Sequence, residues 1–205
     1  MNIKDHINCN HLLCSDINSN GFLVPSKDIE PEKIKILMIS EVPPVNREDY
    51  FYFSDESDYM KTTIQAFKDS GITIDSINDL IDLGVYVTTA VKCPKLQYRI
   101  SAKTIKKCSE ILEQEINYFS NVQVYLLMGD VAIKAMNYIW KRKTGKKIIP
   151  NGSTYKIRNS EYYYEGKKVI PSYLQTGKNY LIEKTKRKMI SEDIKKAFDF
   201  VNNKG

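Results

Sequence analysis

Three features of the sequence predict an α/β domain of three layers with a mostly parallel sheet. Short β-branched apolar runs alternate with amphipathic helical periods, the runs are apolar at nearly every position, and turn-forming residues close them. Alternating strand and helix is the pattern of βαβ units, and a strand covered on both faces needs near-continuous apolar sequence. At 205 residues the chain reads as one domain spanning 1–205, large enough to bury its own core.

The first run, 34–39, leads to a helix whose apolar positions Met60, Ile64 and Phe67 stop before Gly71, a helix C-terminal signal. The second, 85–91, precedes a longer helix with Ile105, Cys108, Leu112, Ile116 and Phe119 on one stripe. The third, 122–128, passes through Gly129-Asp130 into a helix striped by Val131, Ala132, Ala135, Met136 and Ile139. Residues 144–166 are polar and tyrosine-rich and read as an irregular hairpin turning at Asn151-Gly152. The fourth run is 168–170 with its neighbours, and Ile190, Ile194, Ala197, Phe198 and Val201 stripe a final helix. Right-handed crossovers would join the strands. Parallel sheets of this kind bind ligands beyond the carboxyl ends of their strands, which points to 40–44, 88–93, Gly129-Asp130 and 171–176.

Ordinary hydrophobic content argues against disorder, and no apolar run approaches the roughly 18 residues that cross a bilayer. The first 14 residues include Asp5 and no apolar core, so no signal peptide is expected and the chain is read as cytoplasmic. A net charge of +6, with clusters at 141–143, 146–147 and 184–188, fits either solvated faces or a polyanionic partner.

Four cysteines fall in two pairs, Cys9 with Cys14 and Cys93 with Cys108. Without secretory features, paired thiols point to a soft metal centre, zinc or an iron–sulfur cluster. Structural zinc sites use spacings of two to four residues, so the wide second pair suits a cluster better, while four unconnected buried thiols remain the plain alternative. His11 is a possible substitute ligand, although four thiols already fill a site.

Several segments, in order, resemble family 4 uracil-DNA glycosylases. Val85-Tyr86-Val87-Thr88-Thr89-Ala90-Val91-Lys92-Cys93-Pro94 is similar to that family's strand and "NVVKC" turn, with Cys108 following at similar spacing. Ser40-Glu41-Val42-Pro43-Pro44 resembles its "GEAPG" motif, and Leu126-Leu127-Met128-Gly129-Asp130-Val131-Ala132 its "LLG-x-x-A" strand end. Val169-Ile170-Pro171-Ser172-Tyr173-Leu174 stands where the family has "PTYHPS". The resemblance implies an αβα sandwich around a four-stranded, mainly parallel sheet, with a structural [4Fe–4S] cluster on Cys9, Cys14, Cys93 and Cys108. It also implies a monomer that acts on a damaged base in duplex or single-stranded DNA.

By the same resemblance Glu41 is the expected catalytic carboxylate, placed to position water or to favour the developing cationic sugar. Phe53 is the first choice for a stacking platform and Phe51 the second, within the run Tyr50-Phe51-Tyr52-Phe53. Ser40, Val42, Pro43, Thr89 and Leu174 complete the expected substrate site. Two positions depart from the family. Thr89 replaces an asparagine whose amide reads uracil through a paired donor and acceptor, and Leu174 replaces a histidine that donates to the leaving base. Gln175, Thr176 and Lys178 are the available substitute donors. The expected activity is therefore DNA glycosylase, with an inactive iron–sulfur nucleic-acid binder of the same fold as the alternative. A metal protein acting on a nucleotide or another small ligand is a third possibility.

Overall fold

A computed structural model describes residues 1–9, 14–177 and 179–203. His11 and Lys178, both considered above, lie outside the described residues. Three central strands follow the apolar runs: β1 (Ile36–Ser40), β2 (Val85–Thr89) and β3 (Val124–Met128), each buried at every position. Both faces are covered, which is why the alternation of a half-exposed strand is missing from their sequence.

The sheet has five strands among the described residues, in the order β2-β1-β3-β5-β4. β5 (Lys167–Ser172) pairs parallel with β3, and β4 (Tyr162–Tyr164) adds an antiparallel edge. The implied four strands become five because Tyr162-Tyr163-Tyr164 is too short to display a period. The β4–β5 hairpin turns at Glu165-Gly166, both with positive φ (50° and 74°), as a two-residue turn matching strand twist requires. The expected turn at Asn151-Gly152 is not there. That pair follows a helix rather than a strand, and Asn151 Oδ1 accepts from Lys147 Nζ at 3.0 Å.

Two apolar clusters define the layers. On one face Leu37, Ile39, Tyr86 and Leu127 meet α3 (Ala102–Ile116) and α4 (Asp130–Thr144), with N-terminal residues such as Ile3 and Ile17 extending that layer. On the other, Met38, Val87 and Leu126 meet α1 (Asp58–Asp69), α2 (Ile77–Asp82) and α7 (Lys184–Asn202). The short helices α5 (Thr154–Ile157) and α6 (Asn179–Ile182) flank the hairpin and α7. α2 begins with a capping box in which Ser76 and Asp79 satisfy each other's backbone N–H groups.

β2 is an edge strand whose open side is closed by a tyrosine. The Tyr52 phenol donates to the Val87 carbonyl at 2.8 Å and accepts from the Val87 N–H at 3.3 Å. Among the described residues no helix is long and apolar enough to cross a membrane.

Candidate functional site

The parallel strands deliver their carboxyl ends to one edge of the sheet. Ser40 and Thr89 are register partners there. The chain leaving β2 stays tied to the chain leaving β1, since Ala90 N–H donates to Ser40 O at 2.8 Å and Val91 N–H to Glu41 O at 3.0 Å.

Glu41 follows β1 directly and points its carboxylate at the start of α4, where Oε1 accepts from Val131 N–H at 3.2 Å. The amino end of a helix favours an anion, so this is an electrostatically supported position. Room for it comes from Gly129, whose φ is +104°; a Cβ there would lie 2.5 Å from Glu41 Oε1. Glycine is thus required twice, for the backbone and for the space. Burial pushes the Glu41 carboxyl above the ordinary carboxylate value, against the pull of the Val131 N–H, and neighbouring Asp130 adds to the rise. Glu41 borders a cavity of about 300 Å³ that also takes in Gly129, Tyr173, Leu174, Thr176 and Lys186. Leu174 therefore does share a cavity with Glu41, and presents no donor to it.

The four-aromatic run divides its duties. Phe51 is fully buried, packing edge-on against Tyr59 at 5.2 Å between ring centres. Phe53 is 55% exposed and borders a different cavity of about 280 Å³, walled by Phe22, Tyr50 and Tyr52 with Lys4 and Arg47. Phe53 and Glu41 thus border separate cavities. Val42 and Pro43 are buried, and the Val42 carbonyl accepts from the Tyr59 phenol at 3.3 Å.

Thr89 is fully buried on the same sheet face as Ser40, and neither hydroxyl has a hydrogen-bond partner. The Tyr50 phenol lies beside Thr89, but the two do not meet hydrogen-bond geometry and the phenol oxygen is also without a partner. The Gln175 side-chain amide, just beyond β5, is buried with both its nitrogen and its oxygen unpartnered. Of the five residues with such groups among those described, only Gln123 lies at the opposite end of the sheet.

All four cysteines border one cavity of about 410 Å³, together with Lys92 and Lys107. Cys93 follows the turn after β2, and Cys108 sits in the second turn of α3. Burial raises the Cys93 thiol to about 12 and the Cys108 thiol to about 11, with the neighbouring thiols adding to both. Among the described residues no three His, Cys, Asp or Glu side chains are close enough to hold a single metal ion. Asp16 ties the N-terminal pair to α3: its carboxylate accepts from Ser101 N–H at 2.6 Å and Thr104 Oγ1 at 2.5 Å. Those bonds hold its carboxyl below the ordinary value although burial pushes the other way. His6 packs against Tyr118, with ring centres 5.7 Å apart.

Beneath the strand ends runs a charged network that the sequence reading missed. Lys92, buried, pairs with buried Glu115 of α3 and donates to Thr88 Oγ1 at 2.8 Å. Glu115 Oε1 also accepts from Tyr86 OH at 2.8 Å and Thr88 Oγ1 at 2.7 Å. The readable signal was a carboxylate in line with Cys108, Leu112 and Phe119 on an otherwise apolar stripe. Part of the basic surface is likewise committed internally: Arg142 binds Glu113 and Ser109, and Arg187 binds Asp69.

A family model described as the uracil DNA glycosylase superfamily matches residues 27–196. Its span includes Glu41, Thr89, Cys93, Cys108 and Leu174 and begins after Cys9 and Cys14. The comparison with curated proteins gave no match.

Proposed function

We propose, from the premise that the chain belongs to the uracil DNA glycosylase superfamily, that it hydrolyses the N-glycosidic bond of a damaged base in DNA, uracil or another deaminated or modified base. The observation that carries this reading is Glu41, a half-buried carboxylate oriented by the start of α4 and bordering a cavity at the ligand side of a parallel sheet.

In the reaction a water oxygen bonds to the sugar C1′ as the C1′–N bond breaks, and the base leaves with the electron pair. The sugar gains positive charge at that moment, which a fixed carboxylate stabilises without having to reorganise. Glu41 also takes the proton released by water, a task favoured by a carboxyl held above its ordinary pKa. Val131 N–H fixes one oxygen of that group, so its aim does not depend on the ligand. On the leaving-base side Leu174 offers nothing, and in this reading the Thr176 hydroxyl of the same cavity is the donor. Exposed Leu181 and Ile182, followed by Lys184, Lys186 and Lys188, form the rim that meets the DNA.

Cys9, Cys14, Cys93 and Cys108 hold a structural [4Fe–4S] cluster in this reading, with zinc as the alternative, which allies the chain with the family 4 branch. A zinc ion draws its sulfurs to about 2.3 Å from one point. Four thiols lining one cavity of about 410 Å³ form a soft, sulfur-only donor set of the kind an iron–sulfur core takes. Such a core would tie the N-terminal segment to β2 and α3.

Two observations favour a second reading, an inactive binder of the same fold: Glu41 also acts as a cap for α4, and Leu174 stands where the resemblance expects a donor. Incubation with oligonucleotides carrying uracil, hypoxanthine, xanthine or alkylated bases, then alkali, separates the two. Strand cleavage at one lesion is the expected result. Salt-sensitive binding with no cleavage at any lesion would establish the binder instead.

A further inference from the structure

A cavity of about 320 Å³ adjoins the one bordered by Glu41, with Asp130 on the border of both. It lies between the start of α3, one side of α4 and residues 147–152. Its apolar walls are Ile100, Ile105, Ile133, Pro150 and Ile157. The reaction proposed above uses none of them.

This groove is built before anything enters it. Asn137 of α4, itself buried, commits both ends of its amide to the facing segment. Its Nδ2 donates to Ile149 O at 2.9 Å, and its Oδ1 accepts from the Ile148 and Ile149 N–H groups, each at 3.1 Å. Pro150 fixes its own φ, and Gly152 omits a side chain where a Cβ would stand 2.9 Å from Ile157 Cγ2. A preformed groove asks little ordering of the protein when a ligand binds, so more of the contact energy remains as affinity.

Charge identifies the occupant. Lys134 and Lys141 stand two turns apart on one side of α4, Lys147 belongs to the facing segment, and all three are exposed. Against these lysines the described residues of the groove set one carboxylate, Asp130, which is already paired with Lys134. An apolar floor under a cationic rim complements a segment that is acidic and apolar together. Nucleic acid would use the lysines and leave the floor idle, because bases stack on aromatic faces and Tyr138 is the one aromatic among the described residues of the groove.

We propose that this groove docks a partner protein through an acidic peptide segment, which seats one large apolar side chain between α3 and α4 and lays its carboxylates on Lys141 and Lys147. The docking surface does not depend on the glycosylase reading. Through Asp130 it places the partner next to the Glu41 cavity.

The test uses the full chain and labelled peptides in which aspartates flank a leucine or a phenylalanine. Control peptides carry serine in place of the apolar residue, or lysines in place of the aspartates. Fluorescence polarisation should show saturable binding of the acidic apolar peptides alone, weakening as salt rises. Ala102→Phe, at an exposed position of the groove wall, fills the groove and should weaken binding about tenfold or more. Lys141→Glu should weaken it about fivefold. Both positions are exposed, so thermal unfolding of each variant should match the wild type, and Lys141→Glu alone decides the matter if Ala102→Phe fails to fold. No saturable binding at millimolar peptide would overturn the proposal. So would equal binding of the serine control, which would reduce the groove to a charged surface, or undiminished binding by either folded variant. A thymidine oligonucleotide whose binding is lost in Ala102→Phe, with no peptide bound, would assign the groove to nucleic acid and overturn it as well.

Discussion

Glu41 is one side chain that serves the fold and, in the proposed reaction, the chemistry as well. Its carboxylate caps α4 through Val131, fills space that only Gly129 leaves open, and borders the cavity at the sheet edge. Replacing it with glutamine keeps the shape and removes the charge. Turnover by Glu41→Gln should fall about a hundredfold or more, while DNA affinity stays within a few-fold, as comparison of single-turnover rates with binding isotherms would reveal. Activity that needs the carboxylate should decline on acidification earlier than an exposed glutamate would dictate, because burial raises its pKa. That acidic limb should vanish in the variant. The same upward shift means that ionised Glu41 opposes folding at neutral pH, so Glu41→Gln should be at least as stable as the wild type there.

At the scale of elements, buried and half-buried ion pairs lock the helices to one another and to the sheet. Asp69 of α1 accepts from Arg187 of α7, from Tyr180 of α6 at 2.8 Å and from Gln65 at 2.9 Å. The Arg187 guanidinium holds its carboxyl down at about 2. A carboxyl depressed in the folded state stabilises above its unfolded pKa and loses that contribution as pH falls through the folded value. Asp69→Asn should accordingly cost about 1–2 kcal/mol in urea denaturation at pH 7, allowing for solvent screening, and the difference should close as pH approaches about 2. The Lys92–Glu115 pair is fully buried. Lys92→Met alone strands a buried carboxylate and should cost about 3–5 kcal/mol, whereas pairing it with Glu115→Leu should recover much of the loss in a double-mutant cycle.

Strand–helix alternation was readable because residues buried on both sides leave an unbroken apolar signature, as in 122–128. The short elements β4, α2 and α6 were not, since none carries an unbroken apolar run of strand length, each is too brief for a helical period, and all depend on tertiary support. At the site, Glu41 and Leu174 fell on the expected edge because strand ends are readable from sequence. The partition of Tyr50, Phe51, Tyr52 and Phe53 among hydroxyl cluster, core, strand edge and open cavity was not. Four adjacent aromatics look alike until their neighbours from distant segments are known, and an unpartnered hydroxyl is defined only by those neighbours.

For the whole molecule, the proposed metal centre on the four cysteines would link the first residues of the chain to the carboxyl edge of the sheet, so that centre and the site should fail together. Cys108→Ser should lower Tm and abolish visible absorbance in protein purified without oxygen; equal Tm and an unchanged spectrum would remove Cys108 from any centre. A colourless wild-type protein with stoichiometric zinc would replace the cluster with the single-ion alternative.

The most direct test of the central claim is detection of free base, without alkali, in filtrates of lesion-bearing oligonucleotides incubated with the protein. The glycosylase reading predicts one released base in step with new abasic sites, at a rate lost in Glu41→Gln. DNA that is bound yet yields no base from any lesion would contradict it.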